Sequence, residues 1–319
     1  MKIAVYGAGG VGGYFGGLLA VAGAEVHLIA RGAHLAALRD NGLSVHSVRG
    51  DFVVRLPATS DPADIGPSDY VLFCVKSFDT DTAAAQLEPL AGEDTAVLSL
   101  QNGVETEDRL AGVIGYDHVM AGLTFIFLTI EAPGVIAHAG GPGNVVFGEL
   151  DGSRSERATR FLDLCVKAGI EARIAEDIRA EKWDKFAFIT AQAGMTSAVR
   201  LPIGDIRSIP ESLDAFKGIT SEVCEVARAE GVELPADTVE RHASLAQRLE
   251  PGGYSSLHHD MTHGNRMELE ALHGTIVRLA HRHGLTAPVS EVVYAILKPW
   301  AAPNEKAVAT RTAAGRDRE

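Results

Sequence analysis

The sequence predicts an α/β domain built on a parallel sheet, followed by an all-α domain. Three observations predict it. A short apolar strand pattern near the start runs directly into GAGGVGG. Strand and helix patterns then alternate through the first half, as a parallel sheet covered by helices on both faces requires. From Asp177 onward only helical periodicity is present. The expected division is residues 1–175, then a helical domain over 176–302, then a short polar tail over 303–319 that should fray.

Residues 2–6, KIAVY, read as a buried strand. A helix follows from about Val11 to Ala22, Gly23 stops it, and Glu25–Ala30 supplies the next strand. Further strands are expected at Tyr70–Val75, Ala96–Leu100 and His118–Leu123, with helices at Asp79–Pro89 and Thr106–Val113 between them. The runs TFIFLTI, GVIAHAG and NVVFGEL are broken at Pro133-Gly134 and Gly140–Gly143, and predict antiparallel strands added to the sheet edge. A helix at 154–168 and a strand at Ile170–Ile174 close the first domain. Helices are expected at 178–198, 211–230, 235–249, 266–283 and 289–298, punctuated by Pro202, Pro210 and Pro251.

A chain of 319 residues fits about two domains. Its net charge of -13 argues against a nucleic-acid partner, which needs a basic face. Cys74, Cys165 and Cys224 are far apart and form no CxxC pair, so neither a zinc site nor a disulfide framework is expected. Reduced thiols point to the cytoplasm. No signal-peptide pattern opens the chain, and no apolar run reaches the ~18 residues of a membrane span, so no membrane association is expected.

Gly7-Ala8-Gly9-Gly10-Val11-Gly12 matches GxGxxG after a strand and at the opening of a helix, the context of a Rossmann-type dinucleotide fingerprint. Gly7 permits the tight turn, Gly9 lets a pyrophosphate approach, and Gly12 lets helix pack on sheet. The helix N-terminus adds free N–H groups and partial positive charge. At the end of the second strand an NAD site places a carboxylate for the ribose 2′-OH. Here Ala30 is followed by Arg31, whose guanidinium suits a 2′-phosphate, so NADPH/NADP+ is the expected cofactor.

With these residues the chain resembles the ketopantoate reductase (2-dehydropantoate 2-reductase) family. The resemblance runs from Met1 to about Pro299 and rests on five motifs in order: KIAVYGAGGVGG, Val75-Lys76-Ser77, Gln101-Asn102-Gly103, the run Ile178–Phe186, and Ser255–Asp260 continuing to Arg266–Glu270. It implies reduction of a 2-keto acid to a 2-hydroxy acid by NADPH, in pantothenate biosynthesis. It implies a catalytic lysine at Lys185 and an active-site glutamate at Glu268. It also implies cofactor contacts from Lys76, Asn102 and Glu268, and substrate contacts from Asn102, Lys185 and Ser256.

Elementary chemistry agrees with those roles. Ketone reduction builds negative charge on oxygen, which a nearby ammonium stabilises and then protonates. Trp183, Phe186 and Phe188 flank Lys185 in sequence, which fits partial burial and, with it, a lowered pKa; on spacing alone Lys185 reads first as an ordinary solvated helix lysine, and only the resemblance assigns it the catalytic role. Glu268 would hold the ammonium. Lys76 and Asn102 both follow expected strands, where ligands of doubly wound sheets bind. Ordinary structural roles stand beside these: Asn102-Gly103 as a turn pair, Ser255 or Ser256 as a helix N-cap.

The chain departs from the family pattern at Ile189, Ala193 and Ile203, where the family carries asparagine. Either Gln192, Thr190 or Arg200 serves the substrate hydroxyl, or the substrate is a less polar 2-keto acid. A non-catalytic NADPH-binding regulator is the alternative from another class. His258, His259, His263 and His273 fit no standard metal-ligand spacing; they read as solvated helix histidines and no metal is expected. Apolar positions in the helix around Val289–Leu297 suggest a homodimer.

Overall fold

The computed structural model describes residues 1–301. The chain divides into two compact units, Met1–Arg179 and Ala180–Glu319. The tail expected over 303–319 lies outside the described residues.

The first unit opens with β1 (Lys2–Tyr6), α1 (Gly10–Val21), β2 (Glu25–Ile29) and α2 (Gly32–Asn41). There follow β3 (Leu43–Ser47), β4 (Phe52–Val54), β5 (Ala58–Thr59), β6 (Tyr70–Phe73), α3 (Thr80–Ala84), β7 (Ala96–Ser99) and α4 (Thr106–Ile114). A long hairpin, β8 (Val119–Ala132) and β9 (Val135–Glu149), then α5 (Glu156–Lys167) and β10 (Ala172–Ile174) complete it. The sheet order is β4-β3-β9-β8-β7-β6-β1-β2-β5, with β10 also paired to β9. β2, β1, β6, β7 and β8 are mutually parallel, while β8 with β9 and β3 with β4 are antiparallel.

Alternation along the strands explains the layers. Ile3 and Val5 face a core with Phe15 and Leu19 of α1 and Phe161 of α5. Ala4 and Tyr6 face the opposite core, with Val71, Phe73, Leu87 and Leu110. Both sheet faces are therefore covered, and the central strands read as continuous apolar runs. β1 sits between β2 and β6, so the chain switches direction across the sheet at the glycine loop.

Two expectations are corrected here. The β-like runs at 123–148 do not add strands at the sheet edge. They form one hairpin inside the sheet, with β3 and β4 beyond it, because β9 pairs in parallel with both β3 and β10. The Gly140–Gly143 break lies within β9, where the ladder shifts register opposite Phe127. The helix expected over 79–89 is shorter: α3 ends at Ala84, and Pro89 lies in a separate single turn, Glu88–Leu90.

The second unit is all helical among the described residues. It holds α6 (Ile178–Val199, which begins at the unit boundary), α7 (Ile203–Ser208), α8 (Pro210–Ala229), α9 (Thr238–Arg248), α10 (Ser256–Thr262), α11 (Thr275–Arg282) and α12 (288–301). Buried Glu222 of α8 caps α12 by accepting from the backbone N–H groups of Val289 (2.7 Å) and Ser290 (2.8 Å). Asp184 of α6 accepts from Arg241 at 2.7 and 3.1 Å and lies 3.2 Å from His242 Nε2, which ties α6 to α9. Burial pushes this carboxyl up, but the His242 and Arg241 bonds outweigh it and bring its pKa down to about 2. The continuous helix expected over 266–283 is interrupted. Glu270–Gly274 forms a π-helical turn ahead of α11, and Arg266–Glu268 precede any helix.

Candidate active site

In the first unit four parallel strands deliver the expected cofactor residues to one edge of the sheet. β1 leads into Gly7, β2 into Arg31, β6 into Lys76 and β7 into Asn102. Gly7 has φ 95°, and a Cβ there would lie 2.8 Å from Val75 N; a Cβ on Gly12 would lie 2.2 Å from Gly7 O. Only glycine allows this turn and this approach of α1 to β1. Over Gly9 the nearest atom to such a Cβ is Ile130 Cδ1 at 3.9 Å, which leaves room for a ligand against the backbone. α1 has no side-chain cap and no acidic residue in its first turn, so its N-terminal N–H groups of Gly10, Val11 and Gly12 face that space unopposed by negative charge.

Neighbouring groups stiffen this edge. Gly7 and Ala8 donate their N–H groups to Ile29 O at 3.2 and 3.0 Å. His34 accepts from Gly134 N at Nδ1 (3.0 Å), which leaves Nε2–H to donate to Ala8 O (2.8 Å). Gln101 donates to Val75 O at 2.5 Å and so ties the loop carrying Asn102 to the loop carrying Lys76. Arg31 lies at the N-cap of α2 and donates to Asp79 Oδ2 at 2.6 Å. Sequence reasoning missed His34 and Asp79. Each acts across 26 to 100 residues of chain, a separation that local patterns do not reveal.

In the second unit Lys185 lies on α6 with only 7% of its surface exposed. Burial, reinforced by the charge of Lys182 one turn earlier, lowers its pKa from 10.5 to about 7; the carboxylate of Glu268 opposes this only in part. Lys182 is itself buried and was not singled out from the sequence, although its i,i+3 spacing to Lys185 was visible. Glu268 is half-buried in the segment before the π-helical turn.

Ser255, not Ser256, is the N-cap of α10: its Oγ accepts from His258 N at 3.1 Å. Thr196 Oγ1 donates to Gln192 O, so the 2.8 Å contact with Ser255 Oγ has the Ser255 hydroxyl as donor. Ser256 follows with an exposed side chain. Ile189 is half-buried, while Ala193 and Ile203 are buried. Of the polar substitutes, Thr190 is fully buried and Arg200 stacks over the Trp300 ring at 4.0 Å. Gln192 is also buried.

The histidines divide. His258 stacks on Tyr254 and His259 on His263, with ring centroids 4.1 and 4.0 Å apart. His273 is not the solvated helix residue expected. It is fully buried and donates from Nε2 to Thr190 O at 3.1 Å, in space left by Gly194. Burial lowers its pKa to about 4, against the opposing Thr190 bond, so the ring is neutral near pH 7.

Comparison with known proteins agrees with this architecture. The family profile described as "Ketopantoate reductase PanE/ApbA" matches residues 3–152, and its C-terminal counterpart matches residues 177–301. The chain is 31% identical to an uncharacterized oxidoreductase, YkpB, of Bacillus subtilis, over 95% of this chain and 99% of that protein. It is 30% identical to a 2-dehydropantoate 2-reductase of Mesorhizobium japonicum, over 93% of this chain and 97% of that one. A crystal structure of a PanE/ApbA family ketopantoate reductase from Ralstonia eutropha superposes with a TM-score of 0.88 at 33% identity, covering 96% of this chain and all of that one. The protein is thus an oxidoreductase with a Rossmann-type domain followed by a helical one. The chain belongs to the ketopantoate reductase PanE/ApbA family.

Proposed function

We propose that the chain reduces a 2-keto acid to the 2-hydroxy acid with NADPH, and that its substrate is 2-dehydropantoate, giving pantoate for pantothenate biosynthesis in the cytoplasm. The observation that carries this reading is a buried lysine with a pKa brought to about 7 beside Glu268, in a chain with an open glycine cradle.

In this reading the Gly7–Gly12 loop and the first turn of α1 hold the pyrophosphate, Arg31 holds the 2′-phosphate, and Lys76 and Asn102 contact the cofactor from the same sheet edge. Bound NADPH supplies the hydride to the keto carbon. The carbonyl π pair moves onto oxygen, and Lys185 stabilises that charge and then gives its Nζ proton to it. Glu268 orients the ammonium, and Ser256, exposed at the start of α10, contacts the substrate. A pKa near 7 lets Lys185 release a proton readily while remaining partly protonated at neutral pH.

Because the protonated amine is the active form, kcat/KM for reduction should be level below pH 7 and fall about tenfold per pH unit above it. A pH-independent rate from pH 6 to 9 would remove Lys185 from the proton transfer.

Ile189, Ala193 and Ile203 favour a second reading: a 2-keto acid lacking the hydroxyl of ketopantoate, since a site without hydrogen-bonding groups discriminates weakly for one. NADPH oxidation measured over a panel of 2-keto acids tests both. Highest kcat/KM on ketopantoate supports the first reading, and highest kcat/KM on a branched or aromatic 2-keto acid replaces it with the second.

Self-association belongs to the same proposal. Val292, Ile296 and Trp300 form an exposed apolar stripe at helical spacing on α12. Light scattering at micromolar concentration should give a dimeric mass, and a monomeric mass would remove the dimer from the proposal.

A further inference from the structure

Arg31 and Asp79 come from different strand ends and meet at the corner of the sheet that the cofactor reading assigns to the adenosine ribose. The Arg31 guanidinium donates to Asp79 Oδ2 at 2.6 Å. The Arg31 side chain is 72% exposed and that of Asp79 28%. Tyr6, the last residue of β1, senses the same corner: burial raises its hydroxyl pKa, Arg31 lowers it, and Asp61 and Asp79 raise it. Asp61 and Asp79 both lie near enough to Tyr6 to act on that hydroxyl. Asp61 is used locally, accepting from Ala63 N at 2.9 Å. Asp79 is the carboxylate in contact with Arg31.

β2 itself ends without an acidic residue, which by itself favours a 2′-phosphate. Asp79 supplies the missing carboxylate from the loop after β6. We propose that Asp79 is a specificity-determining residue for the cofactor: it accepts the ribose 2′-OH of NADH and restrains Arg31 from the 2′-phosphate of NADPH.

The physics is a competition for one guanidinium. A 2′-phosphate must draw Arg31 out of a charge-assisted bond and then sit beside a second anion. A 2′-hydroxyl has no such cost, because it donates to the carboxylate that already holds Arg31. The chain therefore binds both dinucleotides, and the charge of Asp79 narrows the advantage that Arg31 gives to NADPH. This rests on the nicotinamide reading of the glycine loop.

Fluorescence titration of NADPH and NADH into wild-type protein, Asp79→Asn, Asp79→Ser and Arg31→Ala tests it without relying on turnover. Asp79→Asn keeps the shape of the side chain and removes its charge. It should tighten NADPH and weaken NADH, raising the NADPH preference by roughly tenfold or more. Asp79→Ser should move the ratio in the same direction. Arg31→Ala should weaken NADPH and leave NADH nearly unchanged. A preference that stays within twofold of wild type in both Asp79 variants, while both dinucleotides bind, overturns the proposal and leaves the cofactor reading intact. Wild-type protein that binds neither dinucleotide overturns both.

Discussion

Lys185→Ala should lower kcat by roughly two to four orders of magnitude, the usual loss for a positioned general acid or a donor to developing charge. NADPH affinity should change little, because the charge that Lys185 meets arises only as hydride moves. Glu268→Gln should shift the fall in kcat/KM to lower pH, since the carboxylate is what holds the lysine pKa up toward 7. The two single losses should not add in the double variant, because each residue works through the other. Steady-state kinetics with separate NADPH titration reads all of this. Near-normal turnover in Lys185→Ala on the best 2-keto acid would remove Lys185 from the chemistry, whereas wild-type protein that binds NADPH and turns over no 2-keto acid would put the non-catalytic NADPH-binding regulator ahead. The same lysine costs stability. Its pKa falls from 10.5 to about 7 on folding, so unfolding takes up a proton between those values and stability declines as pH drops across that window. Lys185→Met should therefore unfold at a higher temperature than wild type at pH 7 while losing turnover.

Gly194→Ala should cost about 2–5 kcal/mol of stability, through overpacking and a lost buried hydrogen bond together. A Cβ at position 194 would lie 2.2 Å from His273 Nε2 and 3.0 Å from Val293 Cγ1. The ring has no slack: it is fully buried and bonded to Thr190 O. Displacing it leaves the Nε2–H of a neutral imidazole without its acceptor in the interior. Calorimetry should show a melting temperature lower by roughly 5–15 °C, and a change of under about 1 °C would show that the ring relocates freely. His273 also makes the fold acid-sensitive. Its pKa is lowered from 6.5 to about 4, so stability is lost as pH falls across that range.

These two sites mark what the sequence revealed and what it hid. The glycine loop and the strands on either side of it were legible because their signals are local: a short apolar run, a turn that only glycine makes, a helix start. Lys185 was legible only through the family pattern, since on spacing alone a helix lysine reads as solvated, and the structure buries it to 7% exposure. β3 was missed because LSVHS lacks the continuous apolar run that marks β1, β6 and β7, and β4 and β5 because three and two residues carry no pattern. The β8–β9 hairpin was misplaced because which strand lies beside another is a long-range pairing. Asp79 and His273 were hidden for a related reason. A surface-type residue near a glycine or a distant arginine acquires its role only when the partner arrives from another part of the chain.

The π-helical turn at Glu270–Gly274 can be viewed as a spacer that sets an angle. An α-helix advances about 100° per residue. A π turn holds one residue more than the α-helical turn it replaces, so the chain before it is out of phase with α11 by about one such step. Deleting a single residue within 270–274 would restore regular helical winding toward α11 and turn Leu269, where the chain enters the helix, by about 100° about its axis, carrying with it the segment that holds Glu268. Glu268 thus owes its direction to the count of residues in a turn as much as to its own identity.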